Sequence, residues 1–146
     1  MKKITQTEIN RFIKLTSGAS YNEEAKEEYK KLGRKILNVI AERMGLIKGE
    51  FDIRWNPGGI ACSGDHTLHT DKVYLALHDN LGFGWFYYRS CKGRKDYTGG
   101  SNQNCNWKML EFGLDTLVKK LNDIHHHDRT PQYTTMDSTI IPLLVS

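Results

Sequence analysis

Four cations, Arg89, Lys92, Arg94 and Lys95, fall within seven residues of a glycine-bearing stretch that runs from Arg89 to Asn102. Only Asp96 opposes them there. Glycines let backbone N–H groups approach an anion closely, and Arg or Lys adds charge-assisted bonds to phosphate. Thr98, Ser101 and Asn102 carry the hydroxyl and amide groups that would complete such a shell. The Gly-Lys-Ser/Thr order of a Walker loop is absent and no helix begins at once, so any phosphate site here has another geometry. A long basic hairpin loop with turn glycines accounts for the same composition.

A second concentration is Asp65-His66-Thr67-Leu68-His69-Thr70-Asp71. A catalytic His-Thr pair would suit a phosphodiesterase, but such enzymes use two separated His-x-Thr motifs, and here each His and Thr are adjacent. Strand alternation sends His66, Leu68 and Thr70 to one face and Thr67, His69 and Asp71 to the other. Two ligands at most would then face one metal ion, and a polar strand end with a hydrogen-bonded histidine is the simpler expectation. Cys91 beside Lys92 has a cation that favours thiolate, but no base or oxyanion donor identifies a nucleophile. The cysteines Cys62, Cys91 and Cys105 are odd in number and lack paired metal spacing, which argues against a disulfide framework and for a reducing cytoplasm. No catalytic residue, metal or cofactor is expected.

The elements that must hold these residues fall into three parts of one domain, residues 1–146. Residues 1–50 read as helical. Thr7 is a plausible cap for a short helix with Ile9, Phe12 and Ile13 on one face, and Ser17-Gly18-Ala19-Ser20 breaks it. Asn22 can cap a longer one bearing Ala25, Tyr29, Leu32, Ile36, Val39, Ile40 and Met44, stopped by Gly45. Gly33 inside it costs about 1 kcal/mol relative to alanine, or allows another backbone close by. Residues 51–91 read as short strands: Phe51, Ile53 and Trp55 alternate with Asp52 and Arg54, and Val73, Leu75 and Leu77 with Tyr74 and Ala76. Trp85 to Tyr88 form an aromatic strand; with Phe83 these rings supply core on one face, and the other face could stack a base. Then Trp107, Leu110, Leu114, Leu117, Leu121 and Ile124 mark one helix from Asn106 to about His125. His125, His126 and His127 close it as a solvated cap and point in different directions, so they make no joint metal site.

The fold class is therefore α+β: a twisted antiparallel sheet covered by a C-terminal helix, with an N-terminal helical extension. The tail 126–146 ends on Ile140, Ile141, Leu143, Leu144 and Val145, an apolar end that should dock on this chain or a neighbour. With 38% hydrophobic and 26% charged residues and a net charge of +4, the chain is too apolar for disorder. It has no apolar run of membrane-span length, and its start lacks a secretory leader's apolar core.

The run Ser63-Gly64-Asp65-His66-Thr67-Leu68-His69-Thr70-Asp71-Lys72-Val73-Tyr74, with Arg89-Ser90-Cys91-Lys92-Gly93-Arg94-Lys95-Asp96-Tyr97-Thr98-Gly99-Gly100, is similar to a family of small bacteriophage proteins. These are the first-described type of Thoeris anti-defence proteins, the phage nucleotide sponges. The similarity covers about residues 51–125; the N-terminal helices and the tail fall outside it. The resemblance implies a non-enzymatic protein in the cytoplasm of the infected bacterial host, sequestering a cyclic ADP-ribose isomer made by TIR-domain enzymes. It also implies a symmetric homo-oligomer with sites between protomers. Arg89, Arg94, Lys95, Asp96, Thr98 and Asn102 would then be ligand contacts or their neighbours. Two alternatives stay open: a basic-loop protein that binds nucleic acid or inhibits a host complex, and a small phosphodiesterase using His66, His69 and Asp71.

Overall fold

The computed structural model describes residues 3–16, 22–57, 64–78, 85–94 and 100–127, with residues 85, 126 and 127 by backbone alone. The apolar tail, Cys62, Phe83 and the Ser17-to-Ser20 break lie outside the described residues. Two helices, α1 (Gln6–Leu15) and α2 (Glu23–Arg43), precede strands β1 (Asp52–Asn56), β2 (Asp65–His69), β3 (Val73–Leu77), β4 (Trp85–Ser90) and β5 (Gln103–Asn106). Helices α3 (Trp107–Phe112) and α4 (Leu114–His127) follow. The strands form one antiparallel meander in the order β1-β2-β3-β4-β5, so each strand pairs with its neighbour in sequence. This is the expected α+β class. No described helix is long and apolar enough to cross a membrane.

Local chemistry sets the helix bounds. Thr5, not Thr7, caps α1: its hydroxyl accepts from Glu8 N–H at 3.1 Å while Glu8 accepts from Thr5 N–H at 3.0 Å. Only Thr5 has a glutamate three residues on, so only it can close both arms of a capping box. Thr5→Ala should lower stability by about 1 kcal/mol, read as a lower thermal midpoint; an unchanged midpoint would mean the box carries nothing. Asn22 caps α2 through Ala25 N–H at 3.0 Å, and Gly45 ends it with φ at +82°, the left-handed turn that glycine adopts without strain.

The predicted C-terminal helix is two helices. Gly113 interrupts it with ψ at 34°, its N–H donating to Met109 O, and α4 restarts as Leu117 N–H bonds back to Gly113 O at 2.9 Å. The apolar stripe survives the break: Trp107 and Leu110 on α3 and Leu114, Leu117, Leu121 and Ile124 on α4 are all buried. Strand β5 was also not expected, because Gln103-Asn104-Cys105-Asn106 is too polar to read as a strand. Gln103 and Cys105 nevertheless turn inward opposite Tyr88 and Phe86, and Asn104 faces out.

Burial separates the two sheet faces. Leu68, Val73, Leu75, Leu77, Phe86 and Tyr88 meet Phe12, Tyr29, Ile36, Ile40, Leu117 and Leu121 in one core, so the helices cover that face. Each of these large side chains gains about 1.5–3 kcal/mol from leaving water. The opposite face carries Asp52, Arg54, Thr67, His69, Tyr74, Tyr87, Arg89 and Asn104 by strand alternation.

Candidate functional site

His66 and His69 illustrate what the two faces do. His66 enters the core, 1% exposed, with its ring 4.6 Å from Trp55 and 4.9 Å from Tyr29 and edge-on to Phe12. Its Nε2–H donates to Lys30 O at 3.1 Å. Burial pushes its pKa down to about 4, with the Lys30 bond opposing the shift. Gly33 of α2 lies directly over the ring, and a Cβ there would overlap the imidazole. His69 lies on the other face and shares a 2.8 Å hydrogen bond with Thr67 Oγ1. Burial first, then the Arg54 guanidinium, lowers its pKa to about 4 while Asp52 pulls the other way. The histidines therefore cannot converge on one ion or one substrate atom. Both are weak bases, held uncharged near neutral pH by burial.

The face opposite the described helices is built in rows. Cross-strand register aligns Asp52, His69, Tyr74 and Arg89 in one row, and Arg54, Thr67, Ala76, Tyr87 and Asn104 in the next. Aromatic rings step across it: His69 to Tyr74 at 4.8 Å, Tyr74 to Tyr87 at 6.0 Å, and Tyr87 to His78 at 5.8 Å. Guanidinium groups flank the rings. Arg94, about a quarter exposed, reaches back over the first row, with Nη1 3.6 Å from Asp52 Oδ2 and Nε 3.3 Å from Asp71 Oδ1. That Nε is shielded from solvent and out of line for a hydrogen bond to Asp71. Arg54 Nη2 approaches the same Asp52 Oδ2 at 3.5 Å. Arg89 donates through Nη2 to Gly100 O, while its Nε is shielded and has no hydrogen-bond partner in the chain.

The Arg89–Gly100 bond closes the neck of the basic loop. Gly100 fits there because a Cβ would come within 2.7 Å of the Ser90 carbonyl oxygen. Of the residues singled out from sequence, Arg89 and Arg94 share the face opposite the described helices, and Asn102 is exposed just before β5. Lys95, Asp96 and Thr98 lie outside the described residues. Asp52, Arg54, Tyr74 and His69 join the site without having been marked as ligand contacts. The signal was the β1 alternation, which turns Asp52 and Arg54 away from Ile53 and Trp55. Only the pairing register could bring them beside Arg94.

The remaining candidates serve structure. Cys91 donates its thiol proton to Thr70 O at 3.7 Å, a role that a thiolate cannot fill. His125 is not a solvated cap: it is half-buried, and its Nδ1 meets the Thr70 hydroxyl at 3.2 Å. Thr70 Oγ1 accepts from Lys72 and Val73 N–H at 3.1 and 3.0 Å, and its own proton lies within reach of both the Val73 carbonyl, at 3.4 Å, and the imidazole. A cleft of about 340 Å³ between α1, α3 and α4 carries the Arg43–Asp115 ion pair and belongs to the helical layer, not the basic face. Compared with known proteins, the chain matches no family model, no curated protein and no solved structure.

Proposed function

We propose that the protein binds a compact anionic nucleotide on the sheet face opposite its described helices and sequesters it without turnover. The observation that carries this reading is the pair of shielded Nε–H groups, on Arg89 and Arg94, that flank the His69–Tyr74 aromatic step without a hydrogen bond in the chain. Buried donors are nearly always satisfied, so two on one aromatic-lined face suit a ligand with phosphate oxygens and a stacking base. The uncharged, divergent histidines favour binding over hydrolysis. The resemblance to phage nucleotide sponges adds the finer terms: a cyclic ADP-ribose isomer as ligand, a homo-oligomer, and action in the infected host's cytoplasm. On that reading Lys95, Asp96, Thr98 and Asn102 supply further contacts from the loop.

Protein recovered from infected cells, denatured and analysed by mass spectrometry should release an intact cyclic nucleotide. Release of a hydrolysed product would instead favour the phosphodiesterase. Arg94→Ala should weaken calorimetric binding of a cyclic ADP-ribose isomer by about ten- to a hundredfold, the worth of one charge-assisted contact. Unchanged binding would put the site elsewhere. Binding that follows polynucleotide, steeply salt-dependent and indifferent to the small ligand, would favour the nucleic-acid alternative.

A further inference from the structure

One carboxylate oxygen on this face serves two cations. Asp52 Oδ2 lies 3.5 Å from Arg54 Nη2 and 3.6 Å from Arg94 Nη1. Charge-assisted N–H to O contacts settle at about 2.7–2.9 Å, so neither distance is that of a well-made bond. The three side chains are 45%, 38% and 24% exposed, so solvent screens what attraction remains. Asp71, 70% exposed, pairs with no cation but Arg94 among the described residues.

We propose that Asp52 is an internal competitor for the anion site: its carboxylate occupies the place between Arg54 and Arg94 that a ligand phosphate takes. A pyrophosphate group offers at least four non-bridging oxygens and two or more charges, and so gives each guanidinium an oxygen of its own. A carboxylate offers one charge, here through one oxygen. Asp52 opens the edge strand β1, whose only described sheet partner is β2, so its side chain can turn to solvent without disturbing the sheet.

The consequence is selectivity. An anion must out-compete a tethered carboxylate, which a pyrophosphate group can do and a singly charged ligand cannot. The site thereby discriminates in favour of pyrophosphate-bearing ligands and keeps its cations from holding simple salts. This inference rests on the nucleotide-binding reading for its ligand, but its electrostatics can be tested apart from any base.

Calorimetry with inorganic pyrophosphate and with ADP should compare the unmodified protein, Asp52→Asn, Asp71→Asn and the double variant Asp52→Asn/Arg54→Ala. Asp52→Asn is expected to tighten pyrophosphate binding about tenfold, since it removes one repelling charge from between the two guanidinium groups. Asp71→Asn should gain less than about threefold, its contact being exposed and single. The double variant should lose the Asp52→Asn gain. Unchanged or weaker pyrophosphate binding by Asp52→Asn would overturn the competitor role, as would a gain that persists without Arg54. If Asp52→Asn tightens pyrophosphate while ADP binds no better than pyrophosphate, the competitor stands and the nucleotide reading falls. No binding of either probe by any of the four proteins would remove both.

Discussion

Gly33→Ala is expected to destabilise the protein by about 3 kcal/mol, although alanine is the better helix former by about 1 kcal/mol. The added Cβ would enter the His66 imidazole, and that ring has nowhere to go. Trp55, Tyr29 and Phe12 surround it, and its Nε2–H is anchored on the Lys30 carbonyl one turn earlier in the same helix. Relief would require α2 to lift from β2 and break the Tyr29 hydroxyl's 3.1 Å bond to Gly64 O. Overpacked cores of this kind lose 1–3 kcal/mol, occasionally more. Urea unfolding should report the loss, and Gly33→Leu should leave no folded state. In a double-mutant cycle, His66→Ala and Gly33→Ala together should cost at least about 2 kcal/mol less than their sum. A Gly33→Ala protein within about 0.5 kcal/mol of the parent would show that α2 does not sit where it is described.

Acid should unfold the protein earlier than its carboxylates alone would dictate. His66 and His69 have folded pKa values near 4 against an ordinary 6.5. Between those values the unfolded chain binds protons that the folded chain refuses, so stability is complete above pH 6.5 and falls as pH drops toward 4. A difference of 2.5 units is worth up to about 3 kcal/mol for each histidine, a large share of the 5–15 kcal/mol typical of a domain. Near pH 5 the slope should approach about 2.5 kcal/mol per pH unit, and His66→Gln should halve it. Glu8 and Glu28, held down by hydrogen bonds from Lys35 and Arg11, lose their share later, as pH falls from the ordinary carboxylate range toward their lowered values. Denaturant titrations at pH 7, 5.5 and 4.5 would check the slope, and a flat profile would mean that neither histidine is buried uncharged.

The parts of this fold that were legible in the sequence are those where burial shows as period. The α2 stripe and the run Trp107 to Ile124 name their own buried faces, and the alternation in β1 to β4 names the sheet. What escaped were features decided by single contacts. Gly113 splits a helix without breaking its stripe, because α4 resumes in nearly the same phase. Gln103 is buried on a strand whose sequence is polar, so alternation there had no hydrophobic signal. The site divides the same way. Cation density pointed to Arg89 and Arg94, but Asp52 stands 42 positions before Arg94, and only strand register joins them. Gly33 was marked as a weak point or a close approach; its neighbour is a histidine ring, not backbone.

The meander also sets an order of events during synthesis. Every strand pairs with the next one made, so the sheet can grow as it emerges. The N-terminal helices cannot finish so early. Tyr29 waits for Gly64, and Gln6 waits for the Glu111 carbonyl, 105 positions later. The apolar stripe of α2 is complete at Met44, yet Leu117 and Leu121 leave the ribosome roughly 75 residues afterwards, several seconds at about 5–20 residues per second. Throughout that interval a nascent amphipathic hairpin is open to chaperones and to its copies on neighbouring ribosomes. The arrival of Leu117 and Leu121 on α4, rather than the sheet, is what commits each chain to its own fold.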